Sequence, residues 1–292
     1  MELGRVGVWT GALARVSADE CRAAVEAIED FGFGALWYPE SVGSKESFSQ
    51  AGLLLSASKK LVVASGIASI WARDAMAMQT GALTLAEAYP GRFVLGIGTS
   101  TDVSVPLRGH IYERPFSTLK SYVAAMDEVD YRGPVPNPPL RRVIGSIGPK
   151  SLAFAAEQSW GAHTYFVPPE HTTFAREVMG PEAFLAVEQA VVVDPDPTSA
   201  RAVARDHMDF YLQRAAYRSM LNELGWSEDE LDNGGSDRLV DAVVGWGDIE
   251  QIAARVEKQF RAGADHVCVQ PLTKSATEIG LDQLSQLAAV LI

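Results

Sequence analysis

Two kinds of segment alternate along the chain. Short apolar runs rich in β-branched residues are separated by longer stretches in which apolar residues repeat at helical spacing. The clearest unit is LVVASGI, followed by the helix-period stretch DAMAMQTGALTLAEAY, the turn PGR and a second run, FVLGIGTS. Because these runs are too apolar for strands with one face in water, they predict parallel strands covered by helices.

The same alternation predicts eight strands, each followed by a helix. The predicted strands are Val6–Trp9, Ala35–Tyr38, LVVASGI, FVLGIGTS, Arg142–Gly145, His163–Phe166, Val187–Val193 and His266–Gln270. This count is typical of a closed (β/α)8 TIM barrel, and a doubly wound open sheet is the alternative. Single barrels of about 250 residues are common, so residues 1–292 are expected to form one domain.

Local signals place several helix ends. The patterns Ser17-x-x-Glu20 and Asp248-x-x-Gln251 are capping boxes. Further helices are predicted from about Ser47, from about Pro115, from Pro149, from about Thr172 and through Asp196-Pro197. The segment from about Arg214 to Asp241 is interpreted as a helical insertion before the last unit.

Composition and charge narrow the class of protein. A net charge of -12 argues against nucleic acid or an anionic membrane as a partner, since both attract basic surfaces. Cys21 lies in a predicted helix and Cys268 in an apolar strand, so buried reduced thiols are expected rather than a disulfide. With no signal-like segment and no apolar run of bilayer length, a cytoplasmic protein is expected.

The loop GIGTS follows a predicted strand at the end where α/β folds bind ligands. Gly96 and Gly98 would let the backbone approach a ligand closely, and Thr99 and Ser100 would add hydroxyl donors. The loop therefore predicts a phosphate site. A tight turn from strand to helix is the alternative interpretation.

The loop SIGPKS offers a second point for an anion. Gly148 precedes Pro149, which fits the first helical position, so the N–H groups of Lys150 and Ser151 are left free. The Lys150 ammonium would add a positive charge, and the two loops together would hold an anionic cofactor on an acidic protein. Ordinary helix initiation is the alternative.

Four segments, in this order and spacing, resemble the bacterial luciferase-like superfamily, and within it the branch that uses the deazaflavin coenzyme F420. They are GFGALWYPE, ASGIASIWARDAMAMQTGALTLAEAYPGRFVLGIGTS, GSIGPKSLAFAAE and YFVPPEHT. The resemblance covers nearly the whole chain. It implies a (β/α)8 barrel, usually a homodimer, with the cofactor across the carboxyl ends of the strands. It also implies a cis peptide at Gly66-Ile67 against the back of the cofactor ring.

The resemblance implies an F420-dependent oxidoreductase that moves a hydride between the deazaflavin C5 and a small organic substrate. An FMN-dependent monooxygenase and a non-catalytic cofactor-binding relative are the alternatives. Where some relatives carry an Asp-His pair, Glu40 is followed here by Ser41, which argues against a sugar-phosphate dehydrogenase. Glu40 is therefore the candidate proton donor, with a helix cap or an exposed loop charge as the alternative.

Aromatic and histidine residues complete the candidate site. Trp9 and Trp71 end the first and third strands, so they are candidates for the walls of a ring pocket, although core packing is an alternative. His110 is a second candidate for the proton donor. His110 and His171 are expected at the surface or in a substrate pocket, because no convergent spacing of metal ligands is visible.

Overall fold

Ten strands, all paired in parallel, run through residues 3–292, the part of the chain that the computed structural model describes. They are β1 (Val6–Trp9), β2 (Ala35–Tyr38), β3 (Val62–Ser65), β4 (Ala68–Ser69), β5 (Phe93–Gly98), β6 (Arg141–Gly145), β7 (Gly161–Thr164), β8 (Phe184–Val193), β9 (Gly245–Gly247) and β10 (His266–Pro271).

Twelve α-helices accompany the strands over the same described residues. They are α1 (Ala18–Asp30), α2 (Ser47–Ser56), α3 (Ala75–Ala88), α4 (Pro115–Asp127), α5 (Pro149–Gln158), α6 (Pro169–Met179), α7 (Pro197–Leu212), α8 (Ala215–Glu223), α9 (Glu228–Leu231), α10 (Asp237–Val243), α11 (Ile249–Arg261) and α12 (Leu281–Leu291). The predicted helical insertion is confirmed, since α8, α9 and most of α10 occupy it.

Eight of the strands close into a barrel. They follow the order β10-β1-β2-β3-β5-β6-β7-β8, and β8 also pairs with β10. At the closure His266 faces Ala186, and on the other side of β10 Val267 faces Val6. The predicted (β/α)8 barrel is confirmed, and the open sheet is excluded because β10 and β8, the two ends of this order, pair with each other.

Some boundaries differ from the predicted ones. β4 and β9 were not predicted; they are short additions paired with β5 and with the end of β8. β7 begins at Gly161 rather than His163, and its partner β8 begins at Phe184. A Cβ on Gly161 would lie 1.8 Å from the Phe184 oxygen, so the glycine permits this pairing. α6 begins at Pro169 rather than near Thr172, because proline suits a first helical turn.

The strands separate two apolar layers. On β3, Val63 packs outward against the helices, whereas Val62 and Ala64 point into the barrel. Because successive side chains enter the two layers in turn, a strand that is buried on both faces carries apolar residues at every position. Cys21 and Cys268 are buried free thiols, as expected.

Within the described residues, no helix has both the length and the apolar character that crossing a bilayer requires.

Two predicted capping boxes are present. The Ser17 hydroxyl accepts the Glu20 N–H at 3.2 Å, and the Glu20 carboxylate accepts the Ser17 N–H at 2.8 Å. In α11 the Asp248 carboxylate accepts the Gln251 N–H at 2.9 Å, and the Gln251 side-chain oxygen accepts the Asp248 N–H at 2.9 Å. Each box satisfies N–H groups that helix geometry leaves free.

The Asp248 cap gives a stability prediction. Asp248→Ala removes the acceptor for the Gln251 N–H, so we expect the free energy of unfolding to fall by about 1 kcal/mol in urea titrations. Asp248→Asn keeps an oxygen acceptor and serves as the matched control. Equal losses in the two variants would contradict the cap as the cause.

Candidate functional site

A cavity of about 1210 Å³ opens at the carboxyl ends of the barrel strands. Its walls include seven of the predicted site residues: Trp9, Glu40, Gly66, Ile67, Gly98, Thr99 and Ser100. Gly96, His110, Gly148, Pro149 and Lys150 do not line it. The barrel therefore brings together the predicted residues that end β1, β2, β3 and β5, as parallel strands must.

The segment Gly66-Ile67 forms one wall of the cavity. Its peptide bond is cis, as the resemblance implied. The Trp9 indole N–H donates to the Gly66 oxygen at 3.3 Å, and the Glu40 N–H donates to the Ile67 oxygen at 3.3 Å. A Cβ on Gly66 would lie 2.9 Å from the Trp9 nitrogen and 3.1 Å from His163 Nε2, so only glycine fits without a shift.

Glycines make room for this wall. A Cβ on Gly98 would lie 2.8 Å from Ile67 Cδ1, and one on Gly145 would lie 3.1 Å from Ile67 Cγ2. A Cβ on Gly96 would lie 2.0 Å from the Ser65 backbone oxygen and 3.3 Å from Ile67 Cγ2. The Gly96 N–H and C=O both bond to the Ser65 hydroxyl, at 2.9 and 2.8 Å. The structure thus gives Gly96 a role in packing β5 against β3 rather than a place in the cavity wall.

Glu40 lies in the wall with its side chain 3% exposed. Its carboxylate forms a two-pronged ion pair with Arg73, in which Nη1 and Oε2 are 3.1 Å apart, and it accepts the Ser69 N–H at 2.8 Å. Arg73 also bonds to Glu46 at 2.8 Å. The pairing ties the end of β2 to the segment after β4, and neither a helix cap nor an exposed charge describes it. Its predicted role as proton donor stays a prediction.

The GIGTS loop, the predicted phosphate site, is supported from outside the cavity. Thr99 and Ser100 line the wall, and Ser100 has a left-handed backbone with φ of 57°. The Trp71 indole N–H donates to the Thr99 oxygen at 2.9 Å. Trp71 therefore braces the loop and does not form part of the cavity wall. His110 is exposed, and its ring centroid lies 5.7 Å from that of Trp71.

The SIGPKS loop, the second predicted anion site, lies beside the cavity. Gly148 is the N-cap of α5 and Pro149 its first residue, which confirms the predicted helix start. Lys150 is exposed, whereas the preceding Ile147 lines the cavity. The expectation for His171 is wrong: it is fully buried, and its Nε2 lies 2.7 Å from the Ile147 oxygen. It supports the loop from beneath.

The floor of the cavity contains buried histidine and tryptophan side chains. His163 stacks on Trp37 with ring centroids 4.5 Å apart. Trp37 donates its indole N–H to His266 Nε2 at 3.0 Å, and His266 Nδ1 lies 2.8 Å from the Gly4 oxygen. His163 is 2% exposed, and among residues 3–292 neither of its ring nitrogens has a partner. It is thus an unsatisfied donor and acceptor at the floor.

Burial keeps these groups uncharged. It lowers the pKa of His163 to about 3 and the pKa values of His207 and His266 to about 4. It also raises the pKa of Glu188 to about 8, although the Phe166 N–H donates to this carboxyl at 3.1 Å. Near pH 7 the interior therefore contains polar but mainly neutral side chains.

One side of the cavity contains none of the predicted site residues. It is formed by Tyr165 after β7, by α7 and α8, and by Gln270 on β10. On α7, Val203, His207 and Tyr211 recur every four residues and face the cavity. That spacing is visible in the sequence, but it does not reveal that this face of the helix covers the barrel mouth.

Among the described residues, no three His, Cys, Asp or Glu side chains are grouped so that they could hold a metal ion.

Residues 2–266 match the sequence profile of the luciferase-like monooxygenase family. Solved structures of similar fold include an F420-dependent secondary alcohol dehydrogenase in complex with an F420-acetone adduct (16% identity, TM-score 0.76, 100% of both chains covered). A coenzyme F420 dependent tetrahydromethanopterin reductase from Methanopyrus kandleri shares 14% identity with a TM-score of 0.80, over 99% of both chains.

A third similar structure is the oxygenating constituent of 3,6-diketocamphane monooxygenase from the CAM plasmid of Pseudomonas putida, in complex with FMN. It shares 12% identity with a TM-score of 0.73, over 98% of this chain and 97% of that one. At these identities the three likenesses establish the fold.

His163 gives a prediction for the pH dependence of stability. Its pKa is about 3 in the folded protein and about 6.5 in the unfolded chain, so only the unfolded chain binds the proton between these values. Stability is then lost as pH falls through this window. Replacing His163 with Asn should flatten the slope by up to about 1.4 kcal/mol per pH unit in urea titrations.

His110→Asn is the matched control, because His110 is exposed. An unchanged slope in the His163 variant would show that the buried imidazole is not the group that titrates.

Proposed function

The chain belongs to the luciferase-like monooxygenase family, and we propose that within it the protein is a coenzyme F420-dependent oxidoreductase. In this proposal a hydride moves between the deazaflavin C5 and a small organic substrate. When bound, the cofactor supplies the hydride chemistry, and the chain supplies binding, orientation and protection from water. Two of the structural neighbours named above are F420-dependent by their descriptions, which supports the choice.

The observation that carries the proposal is the wall around Gly66-Ile67. Gly98 and Gly145 leave room for the Ile67 side chain, and Gly66 adds no side chain of its own, so a planar ring could lie against this wall. His163, which lies 3.1 Å from a Cβ built on Gly66, has no partner for either nitrogen among the described residues. An unpartnered imidazole buried next to the wall is a second sign of a binding site there.

The positions of the GIGTS and SIGPKS loops favour a cofactor with a long charged tail. Thr99 and Ser100 line the cavity, whereas Lys150 is exposed beside it at the N-terminus of α5. A cofactor with one phosphate near its ring could use the first loop alone. F420 carries a phosphate and further carboxylates on a longer tail, so it could also reach the free N–H groups of α5 and the Lys150 ammonium.

Cofactor choice is tested by titration. We expect F420 to bind with a Kd in the micromolar range or tighter, and FMN to bind more weakly, as followed by absorbance and calorimetry. Equal or tighter FMN binding would favour a flavin monooxygenase. Binding of neither cofactor would favour a non-catalytic relative.

A variant pair tests the tail in the same titration. Lys150→Ala should weaken F420 binding roughly tenfold and reduce its salt dependence, because a charge near the tail is lost. Lys60→Ala, which changes an exposed lysine between α2 and β3, is the matched control. Equal F420 affinities in the two variants would leave the α5 start with a structural role only.

Glu40 is the proposed proton donor, and its ion pair with Arg73 makes a structural role the competing explanation. We expect Glu40→Gln to lower turnover roughly 100-fold with F420 affinity nearly unchanged, because the amide cannot deliver a proton. Glu46→Gln also perturbs Arg73 but lies outside the cavity wall, so it is the control. A lower melting temperature with unchanged turnover in the Glu40 variant would show that the carboxylate serves only to pair with Arg73.

A further inference from the structure

Three aromatic rings, those of Tyr165, Tyr211 and Tyr217, line one side of the cavity, and the buried ring of Phe166 packs behind them. Tyr211 on α7 lies at their centre, with ring centroids 5.2 Å from Tyr165, 4.7 Å from Phe166 and 5.2 Å from Tyr217. Trp9 extends this wall, since its ring centroid is 4.9 Å from that of Tyr165. Such rings prefer tilted and offset contacts with another ring, so the wall suits an aromatic ligand.

A chain of hydrogen bonds crosses the wall. The Tyr211 hydroxyl donates to the Tyr165 hydroxyl at 3.1 Å, and the Tyr165 hydroxyl donates to Gln270 Oε1 at 2.8 Å. All three residues line the cavity. The Tyr211 oxygen keeps acceptor capacity, and the Gln270 amide nitrogen keeps donor capacity. At the Tyr211 end these hydrogen bonds can be extended by accepting from a ligand hydroxyl, and at the Gln270 end by donating to a ligand carbonyl.

The wall is uncharged. Burial raises the pKa values of Tyr165, Tyr211 and Tyr217 far above their ordinary range, so the three hydroxyls stay protonated at neutral pH. His207 also lines the cavity; burial lowers its pKa to about 4, and its Nε2 has no partner among residues 3–292. The tyrosines, His207 and Gln270 are thus neutral, and a charged ligand held against them would lose its hydration without gaining a counter-charge.

Charges are found at the margin of the wall. Arg214 is the cation next to it, but its guanidinium lies 3.6 Å from the Asp102 carboxylate and 4.6 Å from the Phe210 ring centroid. Asp206, Lys274 and the same Asp102 are exposed residues of the cavity lining. The positive charge of Arg214 is therefore balanced before a ligand arrives.

We propose that this wall is the substrate site and that its substrate is a neutral aromatic compound carrying a carbonyl or hydroxyl oxygen, bound by the chain Tyr211–Tyr165–Gln270. The inference rests on the proposed oxidoreductase function, in which a carbonyl and the corresponding alcohol are the two sides of one hydride transfer. The Gln270 amide then determines specificity by donating to the carbonyl oxygen of one oxidation state, and the Tyr211 oxygen by accepting from the hydroxyl of the other.

The test measures binding of four small probes to the F420-loaded protein by ligand-observed NMR. The probes are acetophenone, 1-phenylethanol, ethylbenzene and benzoate. We expect the first two to bind about tenfold more tightly than ethylbenzene, which lacks the oxygen, and than benzoate, which is charged. Tyr211→Phe should abolish most of the difference between 1-phenylethanol and ethylbenzene, because it removes the acceptor for the ligand hydroxyl. Tyr131→Phe, a tyrosine outside the cavity, should leave it unchanged.

Gln270→Met provides a second variant of similar shape, and it should abolish most of the difference between acetophenone and ethylbenzene, because it removes the amide donor for the ligand carbonyl. Tightest binding of benzoate would overturn the proposal and point to Arg214 as the ligand anchor. Absence of acetophenone binding, or an unchanged preference in both variants, would also overturn it. F420 binding is measured separately: if F420 fails to bind but the probes keep their order on the cofactor-free protein, the cofactor proposal fails and the wall assignment stands.

Discussion

Closure of the barrel by β8 and β10 is the constraint on which the rest of the structure depends. A parallel sheet buries both faces, and an open edge would leave backbone groups of the end strands without partners. Pairing β10 with both β1 and β8 removes those edges from the barrel. It also brings the carboxyl ends of all eight strands to one rim, so Trp9, Gly66, Gly98 and Gln270 share one cavity although they are distant in sequence.

The shape of the cavity depends on absent side chains as much as on present ones. Ile67 occupies the space that side chains at 98 and 145 would need, and Gly66 lies against the Trp9 nitrogen and His163. A larger residue at 98 or 145 would require the Ile67 side chain to move, and one at 66 would require the Trp9 or His163 ring to move, in a densely packed interior. The flat wall and the two hydrogen bonds that hold it, from the Trp9 indole and the Glu40 amide, are therefore one unit.

Polar side chains without partners inside an apolar barrel indicate a ligand-binding site. An unpartnered buried polar atom costs about 1 to 3 kcal/mol, so it persists where a ligand or water supplies the missing bond. His163 at the floor and His207 in the wall both have such atoms among the described residues, and both line the cavity. The Trp37–His266 pair shows the alternative arrangement, in which a buried imidazole is satisfied by protein partners. The contrast separates groups that stabilise the barrel from groups available to a ligand.

The sequence by itself determined the alternation of strands and helices and the glycine loop after β5, and it favoured a closed barrel over an open sheet. Apolar runs and helical periods are local properties, so they specify β3, α3 and β5 without knowledge of the rest of the chain. The family resemblance added the prediction that the Gly66-Ile67 peptide bond is cis. The tertiary structure decided which polar groups meet: the partner of Glu40 is Arg73, His171 is buried beneath a loop, and Lys150 lies outside the cavity. It also placed Tyr211 beside Tyr165 and Gln270, since contacts between distant segments follow from barrel closure and loop packing, which no local pattern contains.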